Sequence, residues 1–138
     1  VLQEMFKSLS TGLQFTSDTR LGRPLGNFDR PRPTRAEVRR SGRSSQHVML
    51  SLNTLKDLAV RLAGADTDMA TTLDASFTQA MSQLTALDDP TFAGVSEPQT
   101  RLKIEVLQQS VDKIRAVVRE ELGPTLGVAA GFNALDGD

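Results

Sequence analysis

Apolar residues recur along this chain at spacings of three and four, which mark faces of helices. Leu2, Met5, Phe6, Leu9 and Leu13 define a first helix over 2–18. Gly12 sits inside it at a cost of about 1 kcal/mol relative to Ala, a small residue that lets another helix come close. A second helix is predicted over 34–63. Thr34 is its N-cap, Glu37 stands at the third position of a capping box, and Gly64 is its stop. Val48, Leu52, Leu55, Leu58, Ala59 and Leu62 form its later face, whereas Ser41, Gly42, Ser44 and Ser45 leave its first turns without bulky apolar groups. Met69, Leu73, Phe77, Met81 and Leu84 mark a third helix over 67–87, closed by Asp88, Asp89 and Pro90. The clearest period belongs to a fourth helix over 98–122, with Leu102, Val106, Leu107, Val111, Ile114, Val117, Val118 and Leu122, ended by Gly123 and Pro124.

No stretch alternates with the period of a strand. Four amphipathic helices with mostly short links predict an all-α four-helix bundle spanning 1–138 as one domain. Its predicted core is Leu9, Leu13, Leu52, Leu55, Leu73, Phe77, Leu107, Val111, Ile114 and Val118. The tail, 123–138, carries Leu126, Val128, Phe132 and Leu135 and is expected to fold back onto the bundle.

Between the first two helices the pattern breaks. Eight arginines fall between positions 20 and 43, opposed only by Asp29 and Glu37. This stretch therefore carries +6 in a chain of net charge −1, and the remainder carries −7. It holds no Lys. Arginine forks suit carboxylates and phosphates, and Lys cannot reproduce that two-point geometry. Pro24, Pro31 and Pro33 exclude a continuous helix through its first half, so 20–34 reads as a crossing segment.

The remaining composition narrows the chemistry. The chain has 138 residues, 38% of them hydrophobic, with six Phe, no Trp, no Tyr and no Cys. Disulfides and thiolate catalysis are excluded. Scarce aromatics and an acidic total argue against nucleic acid as a partner. No apolar run is long enough to span a bilayer. His47 is the single histidine, too few for a common zinc site, and reads as a helix histidine bonded locally. Asn133, Asp136 and Asp138 lack the spacing of a calcium loop and read as capping and turn residues. No GxSxG elbow occurs, and Asp88 with Asp89 reads as a helix end. The chain starts at Val1 inside an amphipathic helix, which suggests a piece of a longer protein.

Three stretches, TGLQFTSDTRLGRPLGNFDRPRPTRAEVRRSGRS, SEPQTRLKIEVLQQSVDKIRAVV and the terminal LGVAAGFNALDGD, together resemble the C-terminal half of imelysin-like proteins. The resemblance rests on Arg20, Gly22, Arg23, Pro24, Arg40, Ser41, Gly42, Arg43 and Ser44, and at the end on Gly131, Phe132, Asn133, Asp136, Gly137 and Asp138. It implies an all-α fold of two four-helix bundles, of which this chain is the second. It implies a bacterial envelope protein, periplasmic or anchored to the outer membrane as a lipoprotein, and associated with iron acquisition. The family's Gly-x-His-x-x-Glu motif belongs to the N-terminal half, and His47 does not match it. The resemblance thus implies no cofactor held by this chain and assigns any metal ion to the N-terminal half.

The reading is a binding module, with no catalytic residue of its own. Arg20, Arg23, Arg40, Ser41, Arg43 and Ser44 are expected to meet Asn133, Asp136 and Asp138 in one ligand or interface site, where a rigid cationic segment faces an acidic chain end. The expected partners are the N-terminal half of the same protein and other envelope iron-uptake proteins. Two alternatives stay open: part of a metallopeptidase whose metal ligands lie in a missing N-terminal segment, and a purely structural helical domain.

Overall fold

The computed structural model describes residues 1–127. They form an all-α bundle, with no strand among the described residues beyond one isolated bridge between Asn27 and Arg30. Helix α1 is Leu2–Gln14. It runs without interruption into a π-helical stretch, Phe15–Leu21, and then into α2, Gly22–Leu25. Two 3₁₀ turns, Pro33–Arg35 and Arg39–Ser41, shape the crossing. Helix α3 is Ser44–Ala63 and α4 is Thr67–Leu87. A 3₁₀ turn, Ala93–Ser96, precedes α5, Pro98–Val117, which continues through a π-helical stretch, Val118–Leu122, into α6, Gly123–Thr125.

The long helices close a ring. α3 packs on α4, α4 on α5, and α1 against both α3 and α5. All ten predicted core residues are buried. Gly12 has the role expected of a small residue: a Cβ there would stand 2.6 Å from a Leu55 methyl group, so its absence lets α1 and α3 approach. Asp66 caps α4 by accepting the Met69 N–H at 3.0 Å. Asp88 ends α4 in the left-handed region, and the Asp89 carboxylate accepts the N–H groups of Ala93 and Gly94.

Four expectations need correction. The first helix does not stop near 18. The wider π turn carries the chain on to Leu25, and the buried Pro24 falls inside its last turn. The second helix starts at Ser44, ten residues later than the Thr34 capping box predicts. Ala36 is extended, Val38 is left-handed at φ +51°, and Gly42 is left-handed at φ +72°. These positions interrupt any helix there and release Glu37 from capping. Leu102 and Val106 do not join the core, being 60% and 40% exposed. The buried face of α5 is Arg101, Ile104, Leu107, Val111 and Ile114, so Arg101 occupies a position that pattern alone gives to a hydrophobe. Finally, Gly123 and Pro124 do not end the last helix. A short turn follows to Thr125, and Gly127, at φ +73°, ends it. The predicted fold-back of 123–138 lies, from Val128 onward, outside the described residues. Before that point Gly123 is buried against Phe6, and Leu126 packs on the core.

Candidate functional site

Three distant stretches meet at Glu37. The π-helical segment presents Arg20, whose Nε donates to Glu37 Oε1 at 3.1 Å. The guanidinium lies over the Phe15 ring, 4.9 Å from its centre. Helix α3 presents His47 from its first turns, with Nδ1 3.2 Å from the same carboxylate oxygen. Ser44, buried at the start of α3, donates its hydroxyl to the Glu37 carbonyl at 2.6 Å.

Backbone strain accompanies this placement. Val38 follows Glu37 and is left-handed, which is unusual for a β-branched residue and costs about 1–2 kcal/mol. Its carbonyl accepts the Ser41 hydroxyl at 2.9 Å and the Ser41 N–H at 3.1 Å. These bonds hold the strained turn, and the turn aims the Glu37 side chain back at Arg20 and His47.

Arg20 and His47 stand at the edge of an open groove of about 340 Å³, with Leu50, Ser51, Thr54 and Leu55 completing its lining. Ser51 shares a 3.1 Å hydrogen bond with Thr16, which is itself buried and bonded to the Gly12 carbonyl. The groove wall thus combines a guanidinium, an imidazole and two hydroxyls over an aliphatic strip. With Nδ1 engaged by the carboxylate, His47 has Nε2 left for a ligand. The group composition suits an oxyanion or a hydroxyl-rich molecule.

A metal ion does not fit these residues. Glu37 and His47 supply two metal-binding side chains, and the Arg20 guanidinium already sits on the shared carboxylate oxygen. Zinc sites need three or four ligands. Among the described residues no group of three or more His, Cys, Asp and Glu side chains is placed to hold a metal.

The residues singled out from sequence divide into three sets. Arg20 and Ser44 belong to this cluster. Arg23, Arg40, Ser41 and Arg43 are exposed, and none of the three arginines is ion-paired among the described residues. Asn133, Asp136 and Asp138 lie outside the described residues. Sequence reasoning missed Glu37, which it assigned to a cap, and it confined His47 to a local helix bond. It also missed Arg101. That side chain is 6% exposed, donates to the Leu25 carbonyl at 2.6 Å and lies under the Phe28 ring. A further polar seam joins the π segment to α5: the buried Ser17 donates to Asp112 at 2.6 Å, and Gln108 donates to the Ser17 carbonyl at 3.0 Å. A cation at a core-facing helical position was the available signal for Arg101. Nothing in the pattern pointed to the Ser17 seam.

Fold and site together define an all-helical bundle with a polar groove beside a strained, arginine-rich crossing. The chain belongs to the imelysin family, whose model matches residues 1–118. No curated protein and no solved structure matches it. Among the described residues no helix is long and apolar enough to cross a membrane.

Proposed function

We propose that this chain is the binding bundle of an imelysin-like cell-envelope protein that takes part in iron acquisition, in the periplasm or anchored at the outer membrane. Family membership supports the envelope and iron part of this reading. One observation carries the binding part: Glu37 holds both Arg20 and His47 at the edge of an open groove. A carboxylate shared by two cationic or hydrogen-donating groups fixes their geometry before any ligand arrives, which lowers the ordering cost of binding. The ligand class that matches is a small carboxylate-rich anion, held by Arg20 and His47 with hydroxyls from Ser51 and Thr54.

The outer part of the predicted site, Arg23, Arg40, Ser41 and Arg43, is proposed as a contact face for acidic groups. Those groups would come from the tail, through Asp136 and Asp138 with Asn133 beside them, and from the N-terminal half of the same protein. Any metal ion would be the business of that other half and of other envelope iron-uptake proteins.

Calorimetric titration of the chain with citrate, with and without ferric ion, tests the reading. Binding that Arg20→Gln and Ser51→Ala each weaken about tenfold is the expected result. Absence of binding, or binding indifferent to both substitutions, overturns it. Chelator-sensitive proteolysis by the purified chain would favour the peptidase reading instead.

A further inference from the structure

The middle of the crossing carries a feature separate from the groove. Residues 27–30 form a tight turn, closed by reciprocal backbone bonds between Asn27 and Arg30. At its tip Phe28 is 77% exposed, although its ring rests over Arg101 at 5.7 Å. Immediately after it, Arg30, Arg32 and Arg35 line a shallow concavity of about 450 Å³ with Pro31, Pro33 and Thr34. None of these three arginines is ion-paired among the described residues, and Asp29 is the one acidic side chain in the segment 23–35.

The backbone beneath them is pinned. Arg32 donates its N–H to the Pro24 carbonyl at 2.8 Å, Arg35 to Arg32 at 2.9 Å, and Ala36, buried, to Pro33 at 3.3 Å. Two prolines fix φ at positions 31 and 33. Gly26, at φ +56°, lets the turn close, because a Cβ there would collide with the Arg30 carbonyl. Arg101 ties the whole segment to α5 through the Leu25 carbonyl. The cations are therefore held on a rigid frame, beside one protruding aromatic ring.

The geometry points to a membrane-docking tip: Phe28 enters the headgroup layer of an anionic bilayer while Arg30, Arg32 and Arg35 engage lipid phosphates. Bidentate guanidinium–phosphate contacts explain the arginine-only composition. An aromatic ring beside a basic cluster is the combination that binds an interface, where neither signal is enough alone. A protein partner is the weaker match. Stable protein interfaces bury a broad patch with an apolar centre, and here a single large apolar side chain stands among the cations.

Sedimentation with vesicles tests this, using the full chain and bilayers of phosphatidylcholine alone or with 30 mol%, about a third, phosphatidylglycerol. The chain is expected to partition onto the anionic vesicles and to leave the neutral ones, with binding that falls steeply with salt. Replacing Arg30, Arg32 and Arg35 together by Gln should weaken partitioning on the order of a hundredfold, at about fivefold per arginine. Phe28→Ser should weaken it several-fold with unchanged helix content, since Phe28 lies in the 27–30 turn outside every helix. Failure to bind anionic vesicles overturns the proposal, as does binding that survives the triple substitution. Two further arms separate the source of the anion. Inorganic phosphate at low millimolar concentration that abolishes binding, with Phe28→Ser silent, would assign the concavity to a free phosphate instead. Tighter binding of polyglutamate than of vesicles would assign it to an acidic protein. None of these substitutions touches the groove lining, so citrate binding there is expected to stay intact and failure here is distinct from failure of the groove reading.

Discussion

The α4–α5 pair and the crossing, which in the structure is the stretch 26–43 between α2 and α3, were built by different physics. In α4 the apolar stripe, the Asp66 cap and the Asp88 stop all sit where helical periodicity puts them. In the crossing no stripe exists. Its shape comes from side-chain bonds to distant backbone, from left-handed residues and from prolines. The first region is stabilised by burial, in which many positions contribute similar amounts. The second depends on a few directional contacts, and its exposed arginines contribute little to stability. A substitution series should therefore separate the two regions, with large losses in one and mixed signs in the other.

The largest effect is expected at Leu107, fully buried on α5. Leu107→Ala should cost about 2–5 kcal/mol in urea unfolding, from lost transfer energy plus a cavity. A loss below about 1 kcal/mol would break the contrast. Arg101→Met comes next, because it removes the donor to the Leu25 carbonyl while keeping much of the side-chain bulk. A loss of about 2–3 kcal/mol follows from a charged, buried hydrogen bond. Should the variant prove as stable as the parent, Arg101 does not hold the crossing to α5.

Smaller effects lie within the crossing itself. Val38→Gly should stabilise the chain by about 1 kcal/mol, since glycine accepts the left-handed conformation that valine resists. Destabilisation by that substitution would show that the Val38 side chain, not its backbone, matters. Ser44→Ala should cost about 1 kcal/mol for the bond to the Glu37 carbonyl, and should weaken groove binding by displacing Glu37. The smallest expected effect is coupling between Arg43→Ala and Asp136→Asn, up to about 1 kcal/mol, because Arg43 is exposed. Strict additivity in that double-mutant cycle would remove the proposed contact between crossing and tail.

The sequence reading succeeded where local pattern and burial agree. The α4 boundaries, the ten core residues and the Gly12 contact were all legible, because a helix buries whichever face its sequence makes apolar. On α5 and its continuation it placed Leu107, Val111, Ile114, Val118 and Leu122 correctly and failed only at the first turns, where Leu102 and Val106 are exposed. Leu102 and Val106 fit a helical stripe as well as Ile104 does, and the spacing makes position 101 core-facing without saying that Leu25 and Phe28 stand ready to satisfy a guanidinium there. It failed by ten residues on α3. Thr34 with Glu37 satisfies the capping rule locally, and the competing bonds from Glu37 to Arg20 and His47 connect residues 17 and 10 positions apart.

That difference also separates what each level decided. The sequence alone determined an all-α bundle, its principal core, the family and the arginine-rich crossing, because hydrophobic period, proline and charge are local properties of the chain. Only the tertiary structure decided that Arg20 and His47 share one carboxylate and that Arg101 is buried. It also decided that Phe28 stands out beside three arginines on a fixed frame. Those outcomes depend on hydrogen-bond partners brought together by packing, and a carboxylate's partner cannot be read from spacing when the chain between turns through left-handed residues.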